Sequence, residues 1–253
     1  MILKNKKIFV FGGTGLIGKS IIKKINQNGA KIVNIDINLN KQKSIKNHFL
    51  DLKNKEKLDD NLKSLIKKFG IPDSVIFCSY PTTDKYSKLD RNTKLYADFT
   101  KNIEYQLSNI CWAANKLAQS MKAKKKTNIL LISSIYGLVG QNLEMYKGTT
   151  MRENISYPVI KGGIIGFTKQ LASIYGKYNL RVNCLCPGAV KGHVKNTTTN
   201  QPKKFIKKFS NQVPLKRLAD PDEVSNVANF LVSDLASYMT GSIIVVDGGW
   251  TSI

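Results

Sequence analysis

The sequence predicts an α/β fold: a doubly wound parallel sheet of about seven strands with helices on both faces. Three observations carry this. Short apolar runs rich in Ile, Val, Leu and Phe alternate with longer amphipathic stretches, the order that calls for parallel strands joined by right-handed crossovers. The chain opens as strand, glycine turn, helix. Its 253 residues suit one such sheet rather than two cores.

Lys7 to Phe11 reads as a short buried strand, followed by Gly12-Gly13-Thr14-Gly15-Leu16-Ile17-Gly18. Ile17, Ile21, Ile22 and Ile25 then share one helical face as far as Asn28-Gly29. Glycines permit a tight turn and a close backbone approach, and a helix N-terminus favours an anion, so this unit suits a dinucleotide pyrophosphate. The second strand, Lys31 to Ile35, ends at Asp36, eighteen residues after Gly18. A carboxylate there accepts ribose hydroxyls and repels a 2′-phosphate, which favours NAD(H) over NADP(H).

A third strand at His48 to Leu50 runs into Asp51 and Leu52, and an amphipathic helix follows over Lys55 to Phe69. Asp73 to Cys78 reads as the fourth strand, with Ser79-Tyr80-Pro81 after it, and one long helix is expected over Leu95 to Met121. Asn128 to Ile132 is the fifth strand and delivers Ser133-Ser134 at its end. Ile160, Ile164, Phe167, Leu171 and Ile174 mark the next helix, and Leu180 to Leu185 the sixth strand, leading to Pro187, Gly188 and Val190. Basic helical turns are expected at Pro202 to Ser210, a helix from Pro221 with Asp220 as its cap, and a last strand at Ile243 to Val246. No repeat or linker divides the chain. Residues 1–253 are expected to form one domain, 1–125 mainly its cofactor-binding half and 126–253 its catalytic and substrate-binding half.

Tyr157 and Lys161 are four residues apart at the start of a helix, so phenol and ammonium share a face. A nearby ammonium favours the phenolate and is expected to lower the tyrosine pKa, making Tyr157 an acid/base near neutral pH. With ten tyrosines and 36 lysines, chance alone supplies a pair of this spacing, so the pair draws its weight from its position after the Ser134 strand end.

The formal charge of +23 raises nucleic acid, anionic membrane or acidic substrates as partners. The lysines are nevertheless spread along the chain, dense only at 122–126 and 203–208, and the Lys, Asn and Ile excess with only four arginines fits an AT-biased composition on a solvated surface. Cys78, Cys111, Cys184 and Cys186 form no C-x-x-C and join no His cluster, so neither a disulfide framework nor a metal site is expected. The lysine-bearing N-terminus has only Ile8 to Phe11 before its glycines, too short for a signal segment, and no apolar run approaches membrane-spanning length. A soluble, cytoplasmic protein is expected.

Gly12 to Gly18, Asp36, Asp51, Ser134, Tyr157-x-x-x-Lys161, Arg181-Val182-Asn183 with Pro187-Gly188, and Thr240-Gly241 with Asp247-Gly248-Gly249 occur in this order along the chain. In that order and spacing the chain resembles the classical short-chain dehydrogenase/reductase family, which implies a Rossmann fold, NAD(P)-dependent oxidoreductase activity and a homotetramer or dimer. The resemblance implies that Tyr157 is the general acid/base, that Lys161 lowers its pKa and holds the nicotinamide ribose, and that Ser134 binds the substrate oxygen. It places the cofactor on Gly12, Thr14, Gly15, Leu16, Ile17, Gly18, Asp36, Asp51, Leu52, Cys78, Ser79, Tyr80, Tyr157, Lys161, Pro187, Gly188 and Val190.

The chain also departs from the family's pattern. Gln106, or Asn109 one turn on, stands where the family has a catalytic Asn. Tyr80-Pro81 replaces a usual glycine beside the cofactor, Leu16 a middle glycine, and Gly192 a threonine. Ser134 and Tyr157 are 23 residues apart, longer than the family norm, and the insert 141–155 is expected to fold over the active site or to pack on a neighbouring subunit. With these features the chain looks like the flagellin-modification oxidoreductases linked to legionaminic-type sugar biosynthesis. That implies a polar, sugar-like or sugar-phosphate substrate met by Ser134, Tyr136, Tyr146, Arg152 and Tyr157, with the basic segment Lys191 to Lys208 as a lid. Two other functions stay open: a 3-oxoacyl-(acyl-carrier-protein) reductase using NADPH, and a non-catalytic dinucleotide-sensing or nucleic-acid-binding protein.

Overall fold

The computed structural model describes residues 1–40, 42–193 and 200–253. Seven parallel strands form one sheet in the order β3-β2-β1-β4-β5-β6-β7: β1 Lys7–Phe11, β2 Lys31–Asp36, β3 Lys46–Phe49, β4 Ser74–Phe77, β5 Thr127–Ile132, β6 Leu180–Pro187 and β7 Ile243–Val246. The strand order reverses between β1 and β4. In open α/β sheets the crevice at that reversal, outside the strand carboxyl ends, is where ligands bind.

Strand periodicity sorts the core. Ile8 and Val10 face one side, where they meet Ile21, Ile22 and Ile25 of α1 (Leu16–Gln27) and Val224 and Leu231 of α7 (Pro221–Leu231). Phe9 and Phe11 face the other, against Leu62 and Leu65 of α2 (Leu58–Phe69), Leu117 of α4 (Asn109–Met121) and Ile164 of α5 (Ser156–Tyr175). A third cluster joins Ile135 and Met145 to Phe205 and Phe209 of α6 (Lys203–Gln212), with Trp250 stacked on Phe209 at 4.3 Å.

The expected long helix over 95–121 is not continuous. It is α3 (Tyr96–Ile103), a π-helical turn at Glu104–Ser108, and α4. Such π turns inside helices concentrate at functional sites, and this one carries Gln106. Asp220 does cap α7, in a box with Glu223, whose carboxylate also takes two hydrogen bonds from Arg217 at 2.6 and 2.7 Å. Arg181 and Asn183 turn out to be architectural: Arg181 donates to the carbonyls of Met239, Leu231 and Ser233, and Asn183 to Met239, pinning the segment that leads into β7. No helix among the described residues is long and apolar enough to cross a membrane.

Candidate active site

The glycine turn is built to admit a ligand against bare backbone. Gly12 has φ +80°, and a Cβ there would sit 2.4 Å from the Ser79 Cα. A Cβ on Gly18 would lie 2.1 Å from the Gly12 carbonyl oxygen, and one on Gly13 2.4 Å from Asn34 Oδ1. Gly15 is looser, its nearest approach 3.3 Å. Helix α1 starts with no side-chain cap and no acidic residue in its first turn, so its N–H groups remain for an anion. Asp36 Oδ2 accepts from the Thr14 amide (3.0 Å) and hydroxyl (2.7 Å), which ties the turn to the end of β2. The Ser79 hydroxyl is buried without a partner beside Gly12. These residues fit a dinucleotide: a cradle only glycines permit, a free helix N-terminus, and a carboxylate at the ribose position.

The other predicted cofactor residues sit on neighbouring loops. Asp51 accepts from the Lys53 amide, and Leu52 is buried. The Cys78 thiol donates to the Phe11 carbonyl at 3.0 Å and is pushed up to about 12 by burial. Gly188, after Pro187, could not carry a Cβ, which would meet the Asp247 Cα at 2.9 Å, and Val190 bridges to Ala219. Leu16 packs where a Gly192 side chain would be. Ile17 packs partly buried against the α1 side of the core.

Helix α5 carries Tyr157 and Lys161 in its first turns, with Pro158 where no N–H partner is required. Ser134 begins a 3₁₀ turn at the end of β5, its Oγ accepting from the Tyr136 amide at 3.2 Å. Gly137 in that turn packs directly on the helix, because a Cβ there would lie 2.7 Å from the Lys161 carbonyl carbon. Ser133 donates to the Lys161 carbonyl at 2.8 Å. The strand end and the helix are thus locked together, and Ser134 faces Tyr157.

The expected lowering of the Tyr157 pKa is corrected by the structure. Part of Tyr157 opens onto a cavity, but the protein around it pushes the phenol up to about 12, with hydrogen bonding to Ser134 opposing that rise. Burial likewise lowers the Lys161 ammonium to about 8. The ammonium donates to the Ile132 carbonyl at 3.2 Å and lies 5.5 Å from the Tyr157 ring centre and 5.6 Å from that of Tyr80. Desolvation is the largest cause of both shifts.

Tyr157 opens on a cavity of about 260 Å³ walled by Tyr80, Tyr86, Tyr136, Tyr146, Phe205 and Phe209. Tyr80 meets the Tyr157 ring edge-on at 5.9 Å, Tyr136 does so at 6.4 Å, and the Tyr80 and Tyr86 hydroxyls bond to each other. Tyr80, expected at the cofactor, lines this cavity. The insert does fold over this cavity: Tyr146 and Arg152 line it, with Gln141 donating to the Tyr146 hydroxyl at 3.1 Å and Arg152 paired to Asp90 at 2.8 Å. A second cavity of about 490 Å³ lies against the same insert and shares Tyr146, Met151 and Arg152.

Gln106 and Asn109 part company. Asn109 donates to the Leu52 carbonyl at 2.7 Å and holds α4 to the loop after β3. Gln106 is buried on the π turn, donating to Asn102 Oδ1 at 3.2 Å while its own carbonyl oxygen has no partner. The lid expected over Lys191 to Lys208 lies partly outside the described residues, at 194–199. Gly163 of α5 receives Leu107, where a Cβ would clash at 2.6 Å. Among the described residues no group of three or more His, Cys, Asp or Glu is gathered as a metal would need.

Sequence reasoning missed Asn154, Tyr86 and Asn102. Asn154 Oδ1 accepts from the Ser156 amide and hydroxyl and from the Tyr157 amide. Asn102 Oδ1 accepts from the Thr83 amide and from Gln106. The only available signal was an Asn three residues before a helix-starting Tyr, a common enough cap pattern to pass unnoticed.

A family model described as Enoyl-(Acyl carrier protein) reductase matches residues 15–251. The chain is 31% identical to the post-translational flagellin modification protein A of Campylobacter coli, over 98% of this chain and 99% of that one. It is 29% identical to a 3-oxoacyl-(acyl-carrier-protein) reductase of Buchnera aphidicola, over 98% of each. Among solved structures it is similar to a short chain dehydrogenase from Leptospira borgpetersenii with bound NAD⁺, at 26% identity and a TM-score of 0.84, covering 98% of this chain and 94% of that one.

Proposed function

We propose, for a chain that belongs to the short-chain dehydrogenase/reductase family and is thereby an oxidoreductase acting on CH–OH groups with NAD or NADP, that it exchanges hydride between NAD(H) and a secondary alcohol or ketone of a sugar-like molecule. The glycine turn and the α1 N-terminus would hold the pyrophosphate, Asp36 the adenosine ribose, and Lys161 the nicotinamide ribose. The nicotinamide supplies the hydride acceptor or donor. Ser134 would hold the substrate oxygen. In ketone reduction the Tyr157 phenol gives its proton from Oη to the carbonyl oxygen as the carbon takes up hydride, and in alcohol oxidation its phenolate form takes the hydroxyl proton as the carbon gives up hydride. The unpartnered carbonyl of Gln106 is the candidate acceptor for the family's amide role.

The observation that carries the sugar-like reading is the wall of tyrosines around Tyr157. Aromatic faces cover the C–H faces of a sugar ring, while phenolic hydroxyls exchange hydrogen bonds with its alcohols. Similarity to a flagellin modification protein supports the same reading, and a role in carbohydrate biosynthesis with it. The 3-oxoacyl reductase reading rests on the Buchnera relative and on the family description. It predicts NADPH preference, which the carboxylate of Asp36 opposes. Exposed Trp112 on α4 and Val159 and Ile174 on α5 support assembly into a dimer or tetramer through these helices, and four free cysteines support a cytoplasmic setting.

Titrating NADH and NADPH against the purified protein by cofactor fluorescence tests this, followed by a sugar and sugar-phosphate screen with NAD⁺. Tighter NADH binding with turnover of a sugar is the expected result. Tighter NADPH binding with turnover of a 3-oxoacyl thioester would replace it.

A further inference from the structure

Four consecutive residues at the end of the insert are bound to one loop. Arg152 pairs with Asp90 at 2.8 Å, Glu153 with Arg91 at 3.7 Å, Asn154 Nδ2 donates to the Tyr86 carbonyl at 2.8 Å, and the Ile155 amide to the Leu89 carbonyl at 2.9 Å. Residues of this clasp line both cavities. The arginines of its outer ion pairs are exposed, which weakens those pairs. Asn154 is its buried member, and every polar atom of its side chain is used.

We propose that Asn154 is the positioning residue for Tyr157, coupling the insert and the Tyr86 loop to the catalytic tyrosine. Three contacts fix the first turn of α5: the Ser156 amide (2.9 Å), the Ser156 hydroxyl (2.6 Å) and the Tyr157 amide (3.2 Å) all donate to Asn154 Oδ1. The helix has no other side-chain cap. From the opposite side, Gln141 Oε1 accepts from the Asn154 backbone amide at 3.0 Å, while Gln141 Nε2 donates to Tyr146. The Tyr86 residue whose carbonyl Asn154 holds also bonds Tyr80, which rests on the Tyr157 ring. One amide therefore sets the phenol from the helix side and the ring's neighbours from the loop side. A change at Tyr146 has a continuous hydrogen-bonded route to Tyr157 through Gln141 and Asn154. The inference rests on Tyr157 being the acid/base group of the proposed function.

The test labels the full chain with 3-fluorotyrosine, whose phenol is more acidic, and follows Tyr157 by fluorine NMR, its resonance assigned by its loss in Tyr157→Phe. In Asn154→Ala, the Tyr157 signal should broaden or split and titrate at lower pH, because a loosened first turn admits water to a phenol whose pKa burial had raised. In Asn154→Asp, which keeps the Oδ1 acceptor for the helix turn but loses the donation to the Tyr86 carbonyl, the signal should be sharper than in Asn154→Ala yet displaced from wild type. Gln141→Ala, which leaves the cap intact, should shift the signal without broadening it, and it serves if Asn154→Ala does not fold. A lowered melting temperature in Asn154→Ala with an unchanged Tyr157 signal and titration would overturn the proposal, leaving Asn154 a structural cap only. Because the readout needs neither substrate nor cofactor, a failure of NADH binding would sink the functional reading without touching this result.

Discussion

The Lys161 ammonium lies 5.5 Å from the centre of the Tyr157 ring, yet burial governs the ionisation of both. Tyr157 holds its proton up to about 12 and Lys161 sheds its own at about 8, against ordinary values of 10.0 and 10.5. The pair is poised at a cost in stability, the usual signature of a working site.

Removing the ammonium should therefore stabilise the fold. Lys161 is buried, and its folded pKa lies below its unfolded one, so below about pH 8 it opposes folding in full, and stability regained from it rises between about 8 and 10.5. Lys161→Met should raise stability at pH 7 by up to about 3 kcal/mol while abolishing turnover, and should flatten the alkaline rise. Denaturant melts at pH 7 and pH 10 check this; an unchanged or lower midpoint at pH 7 would contradict it. Tyr157 acts with the opposite sign, its folded pKa being raised, so its contribution is lost between about 10 and 12.

Tyr157→Phe keeps the ring contacts to Tyr80 and Tyr136 and removes only the hydroxyl. Turnover should fall by roughly 10²–10⁴-fold, with NADH affinity within a few-fold of wild type. Steady-state rates beside fluorescence titration separate the two; retained turnover would assign the proton to another group.

The glycine turn makes a paired prediction. Gly18→Ala puts a methyl 2.1 Å from the Gly12 carbonyl oxygen, and should abolish dinucleotide binding and lower the melting temperature. Gly15→Ala meets no protein atom closer than 3.3 Å, so it should keep the melting temperature nearly intact while weakening dinucleotide binding by a methyl at the turn that faces the pyrophosphate. Cofactor titration and thermal melts on the two variants give the comparison.

Gln106 buries a carbonyl oxygen without a partner, so its loss should be nearly free for the fold. Gln106→Leu should change stability by less than about 1 kcal/mol and still slow turnover. Unaltered kcat would mean that the π turn alone, and not the amide, serves the site.

How much of this was legible in the sequence differed with the range of the interactions. The sheet and the glycine turn were readable because each is local, in apolar runs and a turn chemistry, whereas Ser134, Tyr157 and Lys161 were singled out by their order along the chain, the four-residue spacing alone being a chance-level signal. Strand ends moved by a residue or two, as with β3 at Lys46–Phe49 rather than His48 to Leu50. The π turn at Glu104–Ser108 was not readable, because an extra residue in a helical turn leaves the apolar pattern almost unchanged. Nor was the role of Asn154, whose partners Gln141 and Tyr86 are distant in sequence. The sign of the Tyr157 shift was misread for the same reason: spacing reveals the neighbouring charge but not how much protein surrounds it.

The clasp between 86–91 and 152–155 lies outside the sheet and touches no residue of the glycine turn. It reaches the site only through Asn154, bonded to the first turn of α5, and Tyr86, bonded to Tyr80. On the proposed function, the turn that faces the dinucleotide and the wall of the tyrosine-lined cavity are carried by different segments of the chain, so a change of substrate would be engineered in the second.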